Sequence, residues 1–178
     1  KNEDGSINWL PVCADAHGFL VNRGLFAKYG IPLPTDYDSF VSACQAFAKH
    51  GIRGFDADYT YDYTCMETLQ GLSVSELSSA EGRKWRAAYS DPANTEKVGL
   101  DDTVWPTAFK NLENFIRDTG LNAADLTLNY DDIMDRMRGG ELAMYFGSSM
   151  GVKRLADEGI DAAFLPFFGQ DGQKWLMT

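Results

Sequence analysis

Apolar and polar positions alternate along this chain with two different periods, and glycine or proline separates many of the segments. Short runs of apolar and aromatic residues predict strands, whereas apolar residues that recur about every three to four positions predict helices. The pattern predicts strands at 7–12, 19–21, 52–55, 141–146 and 162–166, and helices at 22–29, 35–50, 61–72, 79–89, 106–119, 129–138 and 150–158.

Polar residues and glycines mark the expected ends of these helices. Asn22 and Thr35 can each accept a hydrogen bond from a free backbone N–H in the first helical turn, so we expect both to be N-caps. Gly30 and Gly120 follow the last apolar position of a helix, where glycine readily adopts the left-handed conformation that ends it. Helices outweigh strands, which predicts a helix-rich α/β fold with a small sheet.

The apolar positions also predict which helix faces point inward. In the helix at 61–72 we expect Met66 and Leu69 to be buried. In the helices at 106–119 and 129–138, the expected buried stripes are Trp105, Phe109, Leu112 and Ile116, and Tyr130, Ile133, Met134 and Met137.

Composition and charge narrow the class of protein. A chain of 178 residues with 44% hydrophobic residues can bury a core of its own, so we expect one domain or slightly more. The net charge of −10 argues against binding to nucleic acid or anionic lipid, because both need a basic surface. No apolar run reaches the roughly 18 residues typical of a membrane-spanning helix. The abrupt ends lead us to expect a piece of a longer chain.

Three cysteines at wide spacings do not form a disulfide framework. Cys44 falls on an apolar helical stripe, which indicates a small core residue. Cys13, Asp15 and His17 would share one face of an extended segment and could form a nucleophile with its base, or a zinc site. Side chains two residues apart on a strand stand about 7 Å from each other, however, which is too far to converge on a metal. We favour a polar loop beside a cleft.

The segment 56–67 partly matches the oxygen spacing of a calcium-binding loop. Its sixth position is Tyr61, where such a loop requires glycine for its sharp turn, and a strand is predicted where a helix should precede it. We therefore expect no metal, with calcium as the alternative. The ligands of that alternative would be Asp56, Asp58, Thr60, Asp62 and Glu67.

Residues 54–82 contain six acidic and four aromatic residues, and neither lysine nor arginine. Carboxylates accept hydrogen bonds from hydroxyl groups, and aromatic rings cover apolar C–H surfaces, so this composition suits a sugar. Tyr59, Tyr61, Asp62 and Tyr63 follow a predicted strand and open a helix, which is where α/β sheets bind ligands. A solvated turn with core-facing tyrosines is the alternative.

A second candidate binding loop covers residues 145–151, between a predicted strand and a predicted helix. Ser148 and Ser149 provide hydroxyl groups near a helix N-terminus, where backbone N–H groups can hold a ligand oxygen. The glycine spacing does not match a phosphate-binding loop, and a plain strand-to-helix turn is the alternative.

Several stretches, in this order, resemble one protein family. Residues 9–23 (WLPVCADAHGFLVNR) are similar to the G-L-P-Y-S-A-D-x-Y-G-L-x-Y-N-K stretch of the sugar-binding (family 1) extracellular solute-binding proteins of bacterial ABC transporters. Pieces between residues 25 and 55, then 140–144 (GELAM) and 159–169 (GIDAAFLPFFG), continue the resemblance along nearly the whole chain.

The resemblance implies a two-lobed, type II periplasmic-binding-protein-like fold, in which residues 1–178 form one α/β lobe, the second. The chain would cross to the missing first lobe near 1–12 and 164–178. The implied function is reversible binding of a sugar or oligosaccharide between the lobes and delivery to the ABC permease in the membrane, without catalysis or a cofactor. The implied location is outside the cytoplasm, either periplasmic or lipid-anchored to the outer face of the cell membrane.

The resemblance also implies ligand positions. Asp15 occupies the place of the family's A-D pair, and Ser149 matches the serine of its G-S-W loop. Ser148 and Met150 stand where that loop has glycine and tryptophan, so one stacking ring is missing. The full set of predicted ligand-binding residues is Asp15, His17, Tyr59, Tyr61, Asp62, Tyr63, Ser148, Ser149 and Met150.

Two other classes of function stay open on the sequence. A carbohydrate-acting hydrolase needs two carboxyl groups across a glycosidic bond, and Asp58 with Asp62 is the candidate pair. An extracellular protein-interaction module would use the aromatic residues as a patch for a protein partner.

Overall fold

A four-stranded mixed sheet organises this computed structural model, which describes residues 5–6, 13–94, 98–101 and 103–176. Its strands are β1 (His17–Asn22), β2 (Arg53–Asp56), β3 (Leu142–Ser148) and β4 (Ala162–Leu165). They lie in the order β2-β3-β1-β4; β1 is antiparallel to both neighbours, and β2 is parallel to β3. These four predicted strands are confirmed, and the predicted strand at 7–12 lies outside the described residues.

The predicted helices are confirmed, with small shifts at their ends. A single-turn helix after residue 73 and a 3-10 helix at Asp125–Thr127 were not predicted, because each is too short to show a period. Among the described residues, no helix has the length and apolar character needed to cross a membrane. The helices are α1 (Arg23–Tyr29), α2 (Tyr37–Ala48), α3 (Asp62–Leu72), α4 (Val74–Ser78), α5 (Ala80–Ser90), α6 (Trp105–Thr119), α7 (Tyr130–Gly139) and α8 (Gly151–Asp157).

Local hydrogen bonds explain where the first helices begin and end. Asn22 Oδ1 accepts from the backbone N–H of Leu25 at 3.1 Å, and Gly30 ends α1 with a left-handed φ of 65°, both as predicted. The prediction of Thr35 as the cap of α2 is wrong. Asp36 takes that role, because its carboxylate accepts from the backbone N–H of Ser39 while the Ser39 hydroxyl accepts from the backbone N–H of Asp36.

The two faces of the sheet bury separate sets of apolar side chains. On one face, the ring centroid of Phe19 lies 4.7 Å from that of Phe40 in α2 and 5.5 Å from that of Phe55 in β2. On the other face, Leu20 packs with Ile133 of α7. Because β1 alternates its side chains between the faces, one strand contributes to both cores. The fold is therefore a helix-rich α/β arrangement around a small sheet, as predicted.

Helix α3 buries a different face from the predicted one. Met66 is 56% exposed, so its predicted burial is wrong, and Leu69 is half-buried. The buried positions include Thr68 and Gly71, and any side chain at Gly71 would collide with the ring of Phe167. Small residues let the helix approach this ring closely, which a search for large apolar residues does not detect.

Helix α6 likewise meets the core along one edge of its apolar stripe. Phe109 and Ile116 are 43% and 41% exposed, so their predicted burial is wrong. The buried contacts come from Ala108 and Phe115 on the adjacent face. An apolar stripe wider than the contact leaves one side uncovered, and periodicity alone cannot tell which side that is.

A hairpin of β5 (Phe167–Phe168) and β6 (Lys174–Trp175) follows the main sheet. Both phenylalanines are buried against the core. The indole N–H of Trp175 donates to Ser75 Oγ at 2.7 Å, which ties the hairpin to α4. The described residues after β4 thus pack on the same core as the strands before them.

Candidate ligand-binding cleft

One edge of the sheet brings three chain segments together. Since β2 is parallel to β3, both strands end at this edge, and β1 begins there because it is antiparallel to β3, with His17 opposite Ser148. The segment before β1, the segment after β2 and the loop after β3 therefore meet. The C-terminal ends of parallel strands are common ligand sites in α/β proteins.

A cavity of about 300 Å³ opens at this edge, and we call it the polar cavity. Acidic side chains, aromatic rings and one arginine share its wall. The lining includes Asp15, Asp58 and Glu67, the rings of His17, Tyr63, Tyr130, Tyr145 and Phe146, and Ser148, Met150 and Arg154.

The loop between β3 and α8 holds Asp15 in place. Ser149 Oγ donates to Asp15 Oδ1 at 2.5 Å and accepts from the backbone N–H of Ala16 at 3.2 Å. The backbone N–H of Ser149 donates to the carbonyl of Ala16 at 2.7 Å. The Ser149 hydroxyl holds the pKa of Asp15 below its usual range, so this carboxylate is ionised at neutral pH and can accept from a ligand hydroxyl.

His17 and Glu67 pair inside the polar cavity. His17 Nδ1 lies 3.1 Å from Glu67 Oε2, and the two side chains are 29% and 26% exposed. The imidazole also lies beside Phe146, with ring centroids 6.0 Å apart. This pair joins β1 to α3, and each side chain keeps a part that faces the cavity.

Asp58 is oriented by the first turn of α3. Thr64 Oγ1 donates to Asp58 Oδ1 at 3.1 Å. Burial raises the pKa of Asp58, and the hydrogen bond from Thr64 opposes that change. A partly buried carboxylate is a strong acceptor for a ligand hydroxyl, because charge-assisted hydrogen bonds are stronger than neutral ones.

Aromatic rings provide the flat surfaces of the site. Tyr63 is 57% exposed, and its ring centroid lies 5.4 Å from that of Tyr61 in a stacked arrangement. Arg154 Nη1 donates to Tyr130 Oη at 2.7 Å, which joins α8 to α7 at the cavity wall. Exposed rings of this kind can cover the C–H face of a sugar.

Two glycines line the polar cavity where β3 leads into α8. A Cβ atom at Gly147 would lie 2.7 Å from Leu20 Cδ1, and one at Gly151 would lie 2.6 Å from the same atom. Larger residues would push the loop away from the sheet. The packing therefore favours small residues beside Ser148, because a larger one would displace the Leu20 side chain.

A buried ion network fixes the segment that leads from β2 to α3. Asp56 Oδ2 lies 3.0 Å from Arg136 Nη1 and 3.6 Å from Arg53 Nε. Arg53 Nη2 also lies 2.5 Å from Asp125 Oδ2. Burial, together with the nearby charge of Asp125, raises the pKa of Asp56 to about 6. The network connects β2 with α7 and the 3-10 helix, and it sets the position from which Asp58 reaches the cavity.

A second cavity, of about 360 Å³, lies beside another face of α3, and we call it the apolar cavity. Cys65 and Thr68 of α3 line it together with Leu112 and Ile116 of α6. Tyr59 also lines this cavity and packs against the main core. The structure thus does not bring Tyr59 to the polar cavity, where the sequence predicted it.

The other predicted ligand-binding residues lie at or near the polar cavity. Its lining includes Asp15, His17, Tyr63, Ser148 and Met150, the last of which is 71% exposed.

Three more predicted residues support this lining without being part of it. Ser149 holds Asp15, and Tyr61 stacks on Tyr63. Asp62 is exposed at the start of α3. Of the candidate hydrolase pair, Asp58 lines the cavity and Asp62 does not.

Sequence reasoning missed several residues of the polar cavity. Tyr130 and Arg154 come from elements that are remote in sequence, and no local motif marks them, whereas Tyr145 opened the predicted loop at 145–151 without being singled out. Glu67 entered only as a calcium ligand. Its spacing of four residues from Tyr63 was the available signal, because residues at i and i+4 share one helix face.

The metal alternatives find no geometric support. The part of the chain that the structure describes contains no group of three or more His, Cys, Asp or Glu side chains that could hold a metal. Asp56 faces two arginines, and Glu67 faces His17. Cys13 is exposed and free.

The family model for bacterial extracellular solute-binding proteins matches residues 2–178. The chain belongs to this family. No curated protein matches the sequence.

Solved structures of solute-binding proteins share the fold of this chain. RafE from Streptococcus pneumoniae, in its apo form, is 18% identical with a TM-score of 0.66, over 91% of this chain and 42% of that chain. A sugar transporter from Bacillus licheniformis in complex with stachyose is 14% identical with a TM-score of 0.70, over 99% of this chain and 46% of that chain. A putative binding protein, msme, from Bacillus subtilis in an open conformation is 18% identical with a TM-score of 0.65, over 98% and 44%.

This solute-binding chain therefore spans less than half the length of the solved structures that it matches. Its helix-rich α/β architecture is that of one lobe of the type II periplasmic-binding-protein fold, as the resemblance implied.

Proposed function

We propose that the protein containing this chain is the substrate-binding component of an ABC importer, which reversibly binds a sugar or oligosaccharide and delivers it to a membrane permease. The polar cavity is the observation that carries this proposal, because it places three carboxylates beside aromatic rings, including the exposed Tyr63. Sugars offer hydroxyl donors to carboxylates and C–H faces to rings. Neighbours described in complex with raffinose and with stachyose support the same class of ligand.

The chain supplies one wall of the binding site in this proposal. Residues 1–178 form a single lobe, and crossovers near 1–12 and 164–178 lead to a second lobe. A ligand that contacts both lobes favours the closed arrangement, which the permease then recognises. The isolated lobe offers about half of the contacts, so it binds weakly. The family's description as extracellular supports a location outside the cytoplasm. The proposed location is the periplasm or, through a lipid anchor, the outer face of the cell membrane.

The contacts of the three carboxylates in the polar cavity fit a protein that binds its ligand without catalysis. Asp15 accepts from Ser149, Asp58 accepts from Thr64, and Glu67 faces His17. A hydrolase needs one carboxyl group free to protonate a leaving group and a second one opposite to it. The carboxylates of this cavity are better arranged as fixed acceptors for hydroxyl groups.

Calorimetric titration of the full-length protein with raffinose, stachyose and laminaribiose tests the proposal. We expect saturable binding of at least one of them, with the sugar recovered intact by chromatography. Recovery of cleaved sugar would show a hydrolase instead. Binding of none of these or of a wider glycan panel, combined with capture of a protein partner, would favour an interaction module.

A further inference from the structure

The pair of His17 and Glu67 differs from the other polar contacts of the cavity because its two facing atoms depend on each other. His17 Nδ1 and Glu67 Oε2 are both buried and lie 3.1 Å apart. Although this is a hydrogen-bonding distance, neither atom has a well-oriented hydrogen-bond partner among the described residues. A buried polar atom without a partner is costly, and a proton between these two atoms would satisfy both of them.

The position of that proton follows from the chemistry of the two groups. An ionised carboxylate only accepts, and a neutral imidazole donates from one nitrogen and accepts at the other. A carboxyl group ordinarily gives up its proton at a lower pH than an imidazolium ion does, so the proton of the pair belongs on the imidazole. His17 Nδ1 is then the donor, and in the neutral ring Nε2 is left as an acceptor.

The ring nitrogen of His17 that is left for a ligand is Nε2. The atom Nδ1 is buried against Glu67, whereas the side chain as a whole is 29% exposed and lines the polar cavity. The strand position of His17, opposite Ser148 in β3, holds the ring at the edge where β1 begins. Its accessible surface therefore faces the space that a ligand would fill.

We propose that Glu67 is a positioning residue of the ligand site, which keeps the His17 proton on Nδ1 and makes Nε2 a fixed hydrogen-bond acceptor for the ligand. The tautomer of His17 is inferred from the geometry of the pair. Its effect on ligand binding rests on the proposed function. His17 Nε2 is then a third acceptor beside the carboxylates of Asp15 and Asp58. The site therefore selects ligands that present hydroxyl or amine donors and disfavours acidic sugars.

Nitrogen-15 NMR of the imidazole rings tests the tautomer directly. The chain has two histidines, so His50, which lies beside Tyr29, serves as the internal reference. At pH 7.5 we expect His17 to be protonated on Nδ1. In Glu67→Met, which removes the acceptor, we expect a shift towards the Nε2-protonated form. In Glu67→Gln, whose amide oxygen can still accept, we expect the Nδ1 form to be largely retained.

The matched control is Glu81→Met, because Glu81 is an exposed glutamate on α5 that does not line the polar cavity. It should leave both imidazole spectra unchanged. A wild-type spectrum with His17 protonated on Nε2 would overturn the inference, and so would a tautomer that is unaffected by Glu67→Met while His50 reports an intact fold.

A second experiment measures the affinity of the full-length protein and its Glu67 variants for raffinose. We expect Glu67→Met to weaken binding by about fivefold to tenfold, as the loss of one hydrogen bond does, and Glu67→Gln to restore most of the affinity. Equal affinity of Glu67→Met and wild type would overturn the role of the acceptor. If the wild type binds no sugar, the proposed function fails while the NMR result still decides the tautomer.

Discussion

The two cavities beside α3 have similar volumes, about 300 and 360 Å³, and opposite chemistry. Tyr63, Thr64 and Glu67 of α3 line the polar cavity, which has three carboxylates in its wall. Cys65 and Thr68 line the apolar cavity, where leucine and isoleucine side chains from α6 and the following segment predominate. One helix thus separates a region suited to hydroxyl groups from a region that is not.

The difference shows that the partners of the acids, and not the size of a cavity, distinguish the candidate site. Asp125 borders the apolar cavity, but it is paired with Arg53. Asp15 and Asp58 accept hydroxyl hydrogen bonds from Ser149 and Thr64 and form no ion pair among the described residues, so they keep lone pairs for a ligand. Four experiments below test this contrast, from the largest expected effect to the smallest.

Asp56 is the last residue of β2, before the segment that leads to both cavities, and it should dominate the pH dependence of stability. Its pKa is raised to about 6, above that of the unfolded chain, so the folded state binds this proton more tightly. The resulting stabilisation is complete below about pH 4 and disappears as the pH rises through 6. Relative to Asp56→Asn, the free energy of unfolding of the wild type should fall by roughly 3 kcal/mol between pH 3 and 7, as measured by urea titration.

A pH-independent difference between the two proteins would contradict this prediction. It would mean that Arg53 and Arg136 compensate fully for the burial of the carboxylate. Ionisation of the buried Asp56 carboxylate would then not destabilise the folded chain.

Gly71 controls how closely the wall between the cavities approaches the core. A methyl group there would collide with the Phe167 ring, so Gly71→Ala should lower the free energy of unfolding by about 2 kcal/mol. Gly139→Ala is the matched control, because the nearest atom to its new Cβ is 3.5 Å away, an ordinary contact. The control should be neutral or slightly stabilising, since alanine favours the helix. Equal effects in thermal unfolding would refute the close approach.

Tyr63 and Ile116 compare the two cavities in ligand binding. In the full-length protein, Tyr63→Ala should weaken sugar binding by about 1 kcal/mol, or roughly fivefold, because an exposed ring is lost. Ile116→Ala, on the apolar cavity, should leave the affinity unchanged. Calorimetry with the best sugar of the panel measures both, and a loss of affinity only in Ile116→Ala would move the site to the apolar cavity.

Labelling of Cys65 is expected to have the smallest effect, because it modifies the apolar cavity without changing the polar one. Burial, with the charges of Asp62 and Asp58, raises the pKa of this thiol, so a Cys13→Ser protein should react slowly with a thiol reagent at pH 7 and faster at pH 9. Cys44 is buried and should stay unmodified. Sugar affinity should be the same before and after labelling at Cys65, and a large decrease would link the two cavities.

Local interactions made most of the secondary structure predictable. Asn22, Gly30, Gly120 and Asn129 act through backbone groups within about one helical turn, so a short stretch of sequence contains both partners. The error at Thr35 is a choice between two adjacent capping residues. The errors at Met66 and Ile116 are different, because the depth of burial depends on which neighbour a helix meets.

The candidate site was predicted only in part. Asp15, His17 and Tyr63 stand out by residue type beside predicted strand ends, and the structure brings them to one cavity. Tyr59 and Tyr63 looked alike in sequence, but the turn between them directs them to opposite sides of α3.

The sequence by itself determined the helices, the strands and the acidic, aromatic character of the segment after β2. Only the tertiary structure decided which of these side chains act together. Asp15 meets Ser149 across 134 positions of the chain, and Glu67 reaches His17 from a different element. Such contacts depend on strand order and helix packing, which bring distant residues within hydrogen-bond distance. They produce no periodic pattern in the sequence, so the sequence alone does not predict them.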